Sequence, residues 1–287
     1  MAEYDTVAIV GVGLIGGSIG LALRERKLAQ KIVGIGRRQM SLDTARKVGA
    51  IDHGETNLAT GVSQAQLIII TTPVDVIAER VIQAAAAAPP GALITDVGST
   101  KEEIAAAVDI ALAGRRGGPR FVGSHPLAGD HRTGAIHARA DLFEDRMVVV
   151  TPTESTRPAA VTEISGFWES LGGKVTMMTP AKHDAALAMT SHLPHLVAVA
   201  LAAATPTEFL PLTASGWRDT TRVAGGNPKL WQPIFAANRQ HMLDALDVLS
   251  QTLGNLRETL EQGDYESLIS ILEAAAKRKR DRDALGD

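Results

Sequence analysis

The stretch that decides the fold is TVAIVGVGLIGGS, residues 6–18, close to the amino terminus. Thr6 to Val10 is a short apolar run, typical of a buried strand, and it stops at Gly11. A G-x-G-x-x-G pattern follows, and then Leu14 to Arg26 has helical composition. A strand, a glycine loop and a helix in this order predict a Rossmann dinucleotide-binding unit.

The loop predicts a cofactor site made of Gly11, Gly13, Leu14, Ile15 and Gly16. The first glycine allows a tight turn, the second lets the backbone approach a pyrophosphate, and the third lets helix and strand pack closely. The unpaired N–H groups at the helix start then face the phosphates.

We also assign to the cofactor site Thr72 and Pro73, which follow the predicted strand Leu67 to Thr71.

The end of the second predicted strand bears on cofactor choice. Gly36 lies 20 residues after Gly16, where an NAD enzyme usually carries an acid for the ribose hydroxyl, and Arg37 and Arg38 follow it. Arginines suit a 2′-phosphate, and the missing carboxylate removes a repulsion. We therefore expect NADP as the preferred cofactor, with NAD possible if both arginines are merely solvated.

Further strands are predicted as short apolar runs that alternate with helix-like segments up to about residue 179. Strands alternating with helices indicate a parallel sheet covered on both faces. The predicted strands are Lys31–Ile35, Leu67–Thr71, Leu93–Val97, Phe121–Gly123, Met147–Thr151 and Lys174–Met178. We expect an α/β fold with a Rossmann-type parallel-sheet domain over residues 1–179.

Residues 180–287 contain helical segments and no convincing strand, which predicts an all-α second domain. Within it, residues 238–261 carry an apolar stripe at near-heptad spacing. The stripe consists of Met242, Leu246, Leu249, Leu253, Leu256 and Leu260. It can pack within the chain or form a subunit interface, and we expect a homodimer through this domain.

Composition excludes several other classes of protein. Of 287 residues, 45% are hydrophobic and 21% charged, which is an ordinary globular balance, and the net charge of −3 gives no basic field for nucleic acid. The chain has no cysteine, so disulfides and thiolate chemistry are excluded. The acidic start does not resemble a secretory signal, and apolar runs such as Gln66–Pro73 are too short to span a bilayer. We expect a soluble, cytoplasmic protein that binds no membrane.

Four later segments carry a specific combination of residues. They are DVGSTK at 96–101, GSHPLAG at 123–129, SHLPH at 191–195 and RDTTRVAGGNP at 218–228. With the loop GVGLIGGS, they resemble, in the same order over nearly the whole chain, the prephenate/arogenate dehydrogenase family of tyrosine biosynthesis.

The resemblance implies oxidative decarboxylation of a cyclohexadienyl substrate, prephenate or arogenate. It assigns His125 as the acceptor of the ring hydroxyl's proton, and an imidazole near its free pKa suits that role. It assigns Ser99 to orient this histidine or the hydroxyl, although Ser99 could instead cap the following helix.

The resemblance also implies a substrate pocket. Arg222 matches the family's carboxylate-binding arginine, unless it only pairs with Asp219. His195 matches a position near the substrate side chain, and His192 is expected to be structural. Trp231 can line the pocket or pack in the core. Asp219 can pair with the amino group of arogenate or hold Arg222.

Alternatives remain open at this point. His125, His131 and His137 recur every six residues, which fits no usual zinc pattern, so we expect no metal site. A β-hydroxyacid dehydrogenase is a rival, but such an enzyme would use a lysine of the helical domain as its acid. Lys182 is the only obvious early candidate, and its sequence context does not fit. A non-catalytic NADP sensor is the other rival. Since residue 287 follows soon after the helical domain, we expect no appended regulatory domain.

Overall fold

A computed structural model describes residues 3–114, 117–130 and 132–284. Its first part contains one eight-stranded sheet. The strands are Tyr4–Val10 (β1), Ala29–Ile35 (β2), His53–Glu55 (β3), Leu67–Ile70 (β4), Leu93–Asp96 (β5), Arg120–Pro126 (β6), Met147–Thr151 (β7) and Lys174–Met177 (β8).

The sheet has the order β3-β2-β1-β4-β5-β6-β7-β8 and is mostly parallel. The order reverses between β1 and β4, which is the switch point of a doubly wound fold, so the predicted α/β Rossmann class is confirmed. The short strand β3 was not predicted. The sheet departs from the predicted parallel arrangement at one pair, because β6 pairs antiparallel with β7.

Helices pack on both faces of the sheet. Those of the first part are Leu14–Glu25 (α1), Gln39–Lys47 (α2), Leu58–Val62 (α3), Val74–Ala87 (α4), Glu102–Leu112 (α5), Pro158–Ser170 (α6) and Pro180–Leu187 (α7). Alternate residues of β1 enter two separate cores, Val7 and Ile9 on one face, Ala8 and Val10 on the other. This two-sided burial explains why the strands read as continuous apolar runs.

The remaining helices are Leu193–Ala204 (α8), Ser215–Thr221 (α9), Pro228–Ala237 (α10), Arg239–Gln262 (α11) and Tyr265–Ala284 (α12). A π-helical turn, Ala188–His192, precedes α8, which carries Pro194 in its first turn as expected.

The chain divides into two compact units, and the division differs from the predicted boundary at 179/180. The first unit comprises residues 1–187 and 225–238, and the second comprises 188–224 and 239–287. Helix α7 joins the first unit because its Asp184 binds backbone amides at the start of α5. Helix α10 joins it because Ile234 enters the core beside α4.

The second unit is helical, as expected, and buries little of its own apolar surface. In α11 only Met242 and Ala245 are buried, and α12 has no buried residue over its described length. Leu253 and Leu260 of the predicted stripe are 56% and 57% exposed. Packing within the chain therefore leaves much of the stripe uncovered.

The helical stretch Pro180–Ala204 is long and apolar enough, by length and composition, to cross a membrane. A search of the sequence for unbroken apolar runs does not find this helical stretch, because polar residues interrupt it. His183 and Asp184 lie within this stretch, are buried, and form hydrogen bonds to His125 and to the backbone N–H of Lys101.

Candidate active site

The glycine loop has the geometry of a dinucleotide cradle. Gly11 has φ +101°, and a Cβ there would meet the carbonyl oxygen of Thr71 at 2.9 Å. A Cβ on Gly16 would lie 2.7 Å from the carbonyl oxygen of Gly11. A Cβ on Gly13 would meet nothing within 4 Å, so this backbone faces open space at the start of α1. The loop thus fits a pyrophosphate.

The end of β4 supports the loop. The hydroxyl of Thr71 donates to the carbonyl oxygen of Gly11 at 2.5 Å, which ties the two strand ends together. In the described part of the chain, the buried hydroxyl of Thr72 has no hydrogen-bond partner. A buried polar group without a partner is costly, and a bound ligand would satisfy it. Pro73 is the N-cap of α4.

Arg37 and Arg38 follow β2 and are both exposed. Arg38 is the N-cap of α2, whose first turn carries no acidic residue. Over the residues that the structure describes, neither arginine forms an ion pair. Both are therefore available to an anionic ligand at this corner of the sheet.

His125 lies inside β6 and not, as predicted, just past the strand. β6 pairs with β5 through Val122, and its later residues continue against β7, with His125 opposite Val149. The antiparallel partner extends the strand beyond the end of β5. His125 is half-buried at the carboxyl end of β6, on the same sheet edge as Gly11 after β1.

Ser99 also lies at this edge, in the bend between β5 and α5, and is half-buried. The alternative that it caps α5 was wrong, because the N-cap residue is Lys101. The carboxylate of Asp184 accepts hydrogen bonds from the N–H groups of Lys101 and Glu102, at 2.8 and 2.9 Å. A side chain from α7 thus takes the place of a local cap.

Sequence reasoning missed a polar cluster behind His125. The Nδ1 atom of His125 lies 2.9 Å from Nε2 of His183, and Nδ1 of His183 lies 2.6 Å from Oδ1 of Asp184. His183 and Asp184 are fully buried. The only signal was an adjacent pair of ionisable residues in an apolar helix.

A buried ion pair between Lys101 and Asp96 adjoins this cluster. Asp96 also accepts hydrogen bonds from the N–H groups of Gly98 and Ser124. Burial lowers the pKa of Lys101, and the contact with Asp96 opposes that shift. Asp96 and Lys101, the first and last residues of the motif at 96–101, therefore form a buried ion pair that the sequence alone did not reveal.

The remaining predicted residues belong mostly to the second unit. His195 is buried on α8, and burial lowers its pKa. Arg222 and Asp219 are exposed near the end of α9, and within the described chain they form no ion pair with each other. His192 is buried in the π-helical turn. His131 lies outside the described residues.

Trp231 belongs to the first unit. It lies on α10, packs against the core beside α4, and its ring centroid is 5.5 Å from that of Phe235. This contact supports the packing alternative for Trp231.

Two family models match nearly the whole chain. The model described as prephenate dehydrogenase, nucleotide-binding domain, matches residues 19–177, and the one described as prephenate dehydrogenase, dimerization domain, matches residues 179–274. The chain belongs to the prephenate dehydrogenase family. The resemblance seen in its motifs is thereby confirmed.

Members of this family share both sequence and structure with the chain. The prephenate dehydrogenase of Bacillus subtilis (strain 168) is 34% identical over 281 residues, covering 94% of this chain and 74% of that protein. The structure of A. aeolicus prephenate dehydrogenase with hydroxyphenyl propionate and NAD+ aligns with a TM-score of 0.89 at 29% identity, covering 96% and 98%. Synechocystis arogenate dehydrogenase aligns with a TM-score of 0.83 at 32% identity, covering 97% and 99%.

Proposed function

We propose that the protein oxidises prephenate with NADP and releases the ring carboxylate as carbon dioxide, giving 4-hydroxyphenylpyruvate. The observation that carries this proposal is the position of His125 on the sheet edge that also holds the glycine loop. Ligands of doubly wound sheets bind at this edge. Membership of the family supplies the substrate class.

The cofactor would be held by residues of the first unit. The amides of the glycine loop and the start of α1 suit the pyrophosphate. Arg37 and Arg38 suit a 2′-phosphate, which is why we propose a preference for NADP. When bound, the oxidised nicotinamide accepts a hydride from the ring carbon that carries the hydroxyl. Because the A. aeolicus relative was solved with NAD+, both cofactors belong in the test.

His125 handles the proton. It takes the proton of the ring hydroxyl as the carbon loses its hydride and the alcohol becomes a carbonyl. Loss of carbon dioxide then makes the ring aromatic and leaves the oxygen as a phenolate, which the same proton neutralises. His125 therefore stores one proton during the reaction. We assign Ser99 to orient the hydroxyl or the imidazole, a role that its half-buried position at the same edge permits.

The assignment of the substrate-binding residues is based on residue type, exposure and family resemblance. We propose that exposed Arg222 binds a substrate carboxylate, since a guanidinium can bind it through two parallel hydrogen bonds. His195, which burial favours in its neutral form, would hydrogen-bond the substrate side chain. Asp219 is free of an ion pair with Arg222, so it can meet the amino group of arogenate, the second candidate substrate.

We propose a cytoplasmic homodimer. The matched dimerization model covers α11 and part of α12, where the exposed leucines of the stripe lie. Apolar patches of this kind mark protein interfaces. The absence of cysteine fits a reducing compartment.

The test follows the absorbance of the reduced cofactor with prephenate and with arogenate, each with NADP and with NAD. We expect reduction with prephenate and NADP, accompanied by release of carbon dioxide. Faster reduction with arogenate would move the assignment to the second substrate. Absence of turnover in all four combinations would refute the proposed function and favour a cofactor-binding sensor.

A further inference from the structure

His125 is connected to a buried carboxylate through a second imidazole. Its Nδ1 lies 2.9 Å from Nε2 of His183, and the two ring centroids are 5.1 Å apart at 69°. The other nitrogen of His183 lies 2.6 Å from Oδ1 of Asp184. His183 has 0% and Asp184 1% of its surface exposed, so solvent does not replace these contacts.

The atoms in this chain determine where the protons lie. A carboxylate only accepts hydrogen bonds, so Nδ1 of His183 carries the proton in its bond to Asp184. In a neutral imidazole the other nitrogen then accepts, so Nε2 of His183 accepts a hydrogen bond that Nδ1–H of His125 donates. A neutral His125 donating through Nδ1 keeps its lone pair on Nε2. The order of donors leaves Nε2 as the atom that takes a proton.

The carboxylate that begins this order is fixed in place. Both oxygens of Asp184 accept hydrogen bonds from backbone N–H groups at the start of α5, and these two bonds fix the orientation of the carboxylate. The side chain of buried Asn238 donates to the carbonyl oxygen of Asp184 at 2.8 Å. Asp184 is therefore held from the start of α5 and from the end of α10.

The other charged groups near Asp184 are either paired with each other or exposed to solvent. The ammonium of Lys101 faces Asp96 in an ion pair, so these two charges compensate each other. Glu102, in the first turn of α5, is exposed, as is Lys182 on α7 itself. The buried negative charge next to His183 is thus available to balance a positive charge on His125.

We propose that His183 and Asp184 are positioning residues for His125: they hold its proton on Nδ1, present Nε2 to the substrate hydroxyl, and stabilise the imidazolium formed while the proton is stored. The catalytic part of this inference rests on the proposed function. The tautomer does not, because it is a property of the protein without substrate.

The test compares His183→Gln with His183→Leu, two side chains of similar size. Glutamine offers an oxygen that can accept from Nδ1 of His125, whereas leucine offers none. His53→Leu is the matched control, since His53 is exposed at the first residue of the edge strand β3. The nitrogen resonances of ¹⁵N-labelled histidines report the tautomer, and their assignment comes from the missing signals in His125→Asn.

In the wild type and in His183→Gln we expect His125 to carry its proton on Nδ1. In His183→Leu we expect loss of that preference and a fall in kcat of about 10- to 100-fold, the range found when a group that orients a metal-binding histidine is removed. KM for the substrate should stay within about twofold, with partial recovery of kcat in His183→Gln.

Two results would overturn the inference: a wild-type His125 protonated on Nε2, or an unchanged kcat in folded His183→Leu. If His183→Leu does not fold, the wild-type tautomer still decides. The expected tautomer in a protein without prephenate turnover would reject the proposed function and leave the positioning intact. Normal turnover in a protein whose His125 carries its proton on Nε2 would reject the positioning role and leave the proposed function intact.

Discussion

Nε2 of His183 lies 2.9 Å from Nδ1 of His125, so a half-buried histidine on β6 is joined to a fully buried one on α7. The two residues are 58 positions apart in the chain. Their contact exists because β6 and α7 meet at the same end of the sheet. It links the proposed proton acceptor to a group that solvent does not reach.

His125→Asn should abolish most turnover. Asparagine keeps a hydrogen-bonding side chain but cannot take up a proton near neutral pH, so kcat should fall about 10²- to 10⁴-fold while KM changes little. Steady-state kinetics with prephenate measure both, and His53→Asn is the control. Wild-type turnover in His125→Asn would remove the assigned role of this imidazole.

Alanine substitutions at two loop glycines should distinguish an effect on cofactor binding from an effect on stability. Gly13→Ala adds a Cβ to open space, so it should fold normally but bind the dinucleotide at least about tenfold more weakly, since the backbone can no longer approach the pyrophosphate. Gly16→Ala meets the carbonyl oxygen of Gly11 at 2.7 Å and should also lose thermal stability.

Calorimetric titration with NADP and thermal unfolding distinguish these effects. Gly166→Ala on α6, where a Cβ also meets nothing within 4 Å, is the control. Unchanged affinity in Gly13→Ala would show that the loop does not contact the cofactor.

Arg37→Ala should raise KM for NADP about tenfold or more and leave KM for NAD nearly unchanged, because only NADP carries the phosphate that the guanidinium would bind. Arg46→Ala, which removes an exposed arginine near the end of α2, is the control. Equal effects of Arg37→Ala on both cofactors would contradict the NADP preference.

Lys101→Met should destabilise the protein strongly. It leaves buried Asp96 without its cation, and breaking a buried ion pair from one side costs about 3–5 kcal/mol. The exposed pair Lys277–Asp281 provides the control, because Lys277→Met should cost less than about 1 kcal/mol. Urea unfolding measures the free energy of each variant, and equal losses would show that the pair is not buried.

His195 should contribute a defined pH dependence. Burial lowers its pKa from 6.5, so between the folded pKa and 6.5 the unfolded chain binds more protons than the folded one. The free energy of unfolding therefore rises with pH through this window, and the stabilising contribution of neutral His195 is fully present above it. Below the window the contribution is lost.

His195→Asn removes this dependence. The difference in unfolding free energy between wild type and His195→Asn should decrease as the pH falls from 7 toward 5. A difference that grows toward low pH would mean that His195 is protonated in the folded protein.

The sequence by itself determined the Rossmann unit, because its signals are local. A buried strand, a glycine loop and a helix start are contiguous in residues 6–18, and each part is dictated by backbone conformation and apolar period. The motifs also identified the family, and they led us to propose His125 and Ser99 as site residues, since strand ends in a parallel sheet meet at one edge.

Only the tertiary structure decided what surrounds those residues. The antiparallel pairing of β6 with β7 extends the strand through His125, and no local pattern specifies which strand pairs with which. His183, Asp184 and Lys101 come together with His125 from three separate elements. Side chains far apart in sequence become partners only when packing brings them within hydrogen-bond distance and removes the competing water.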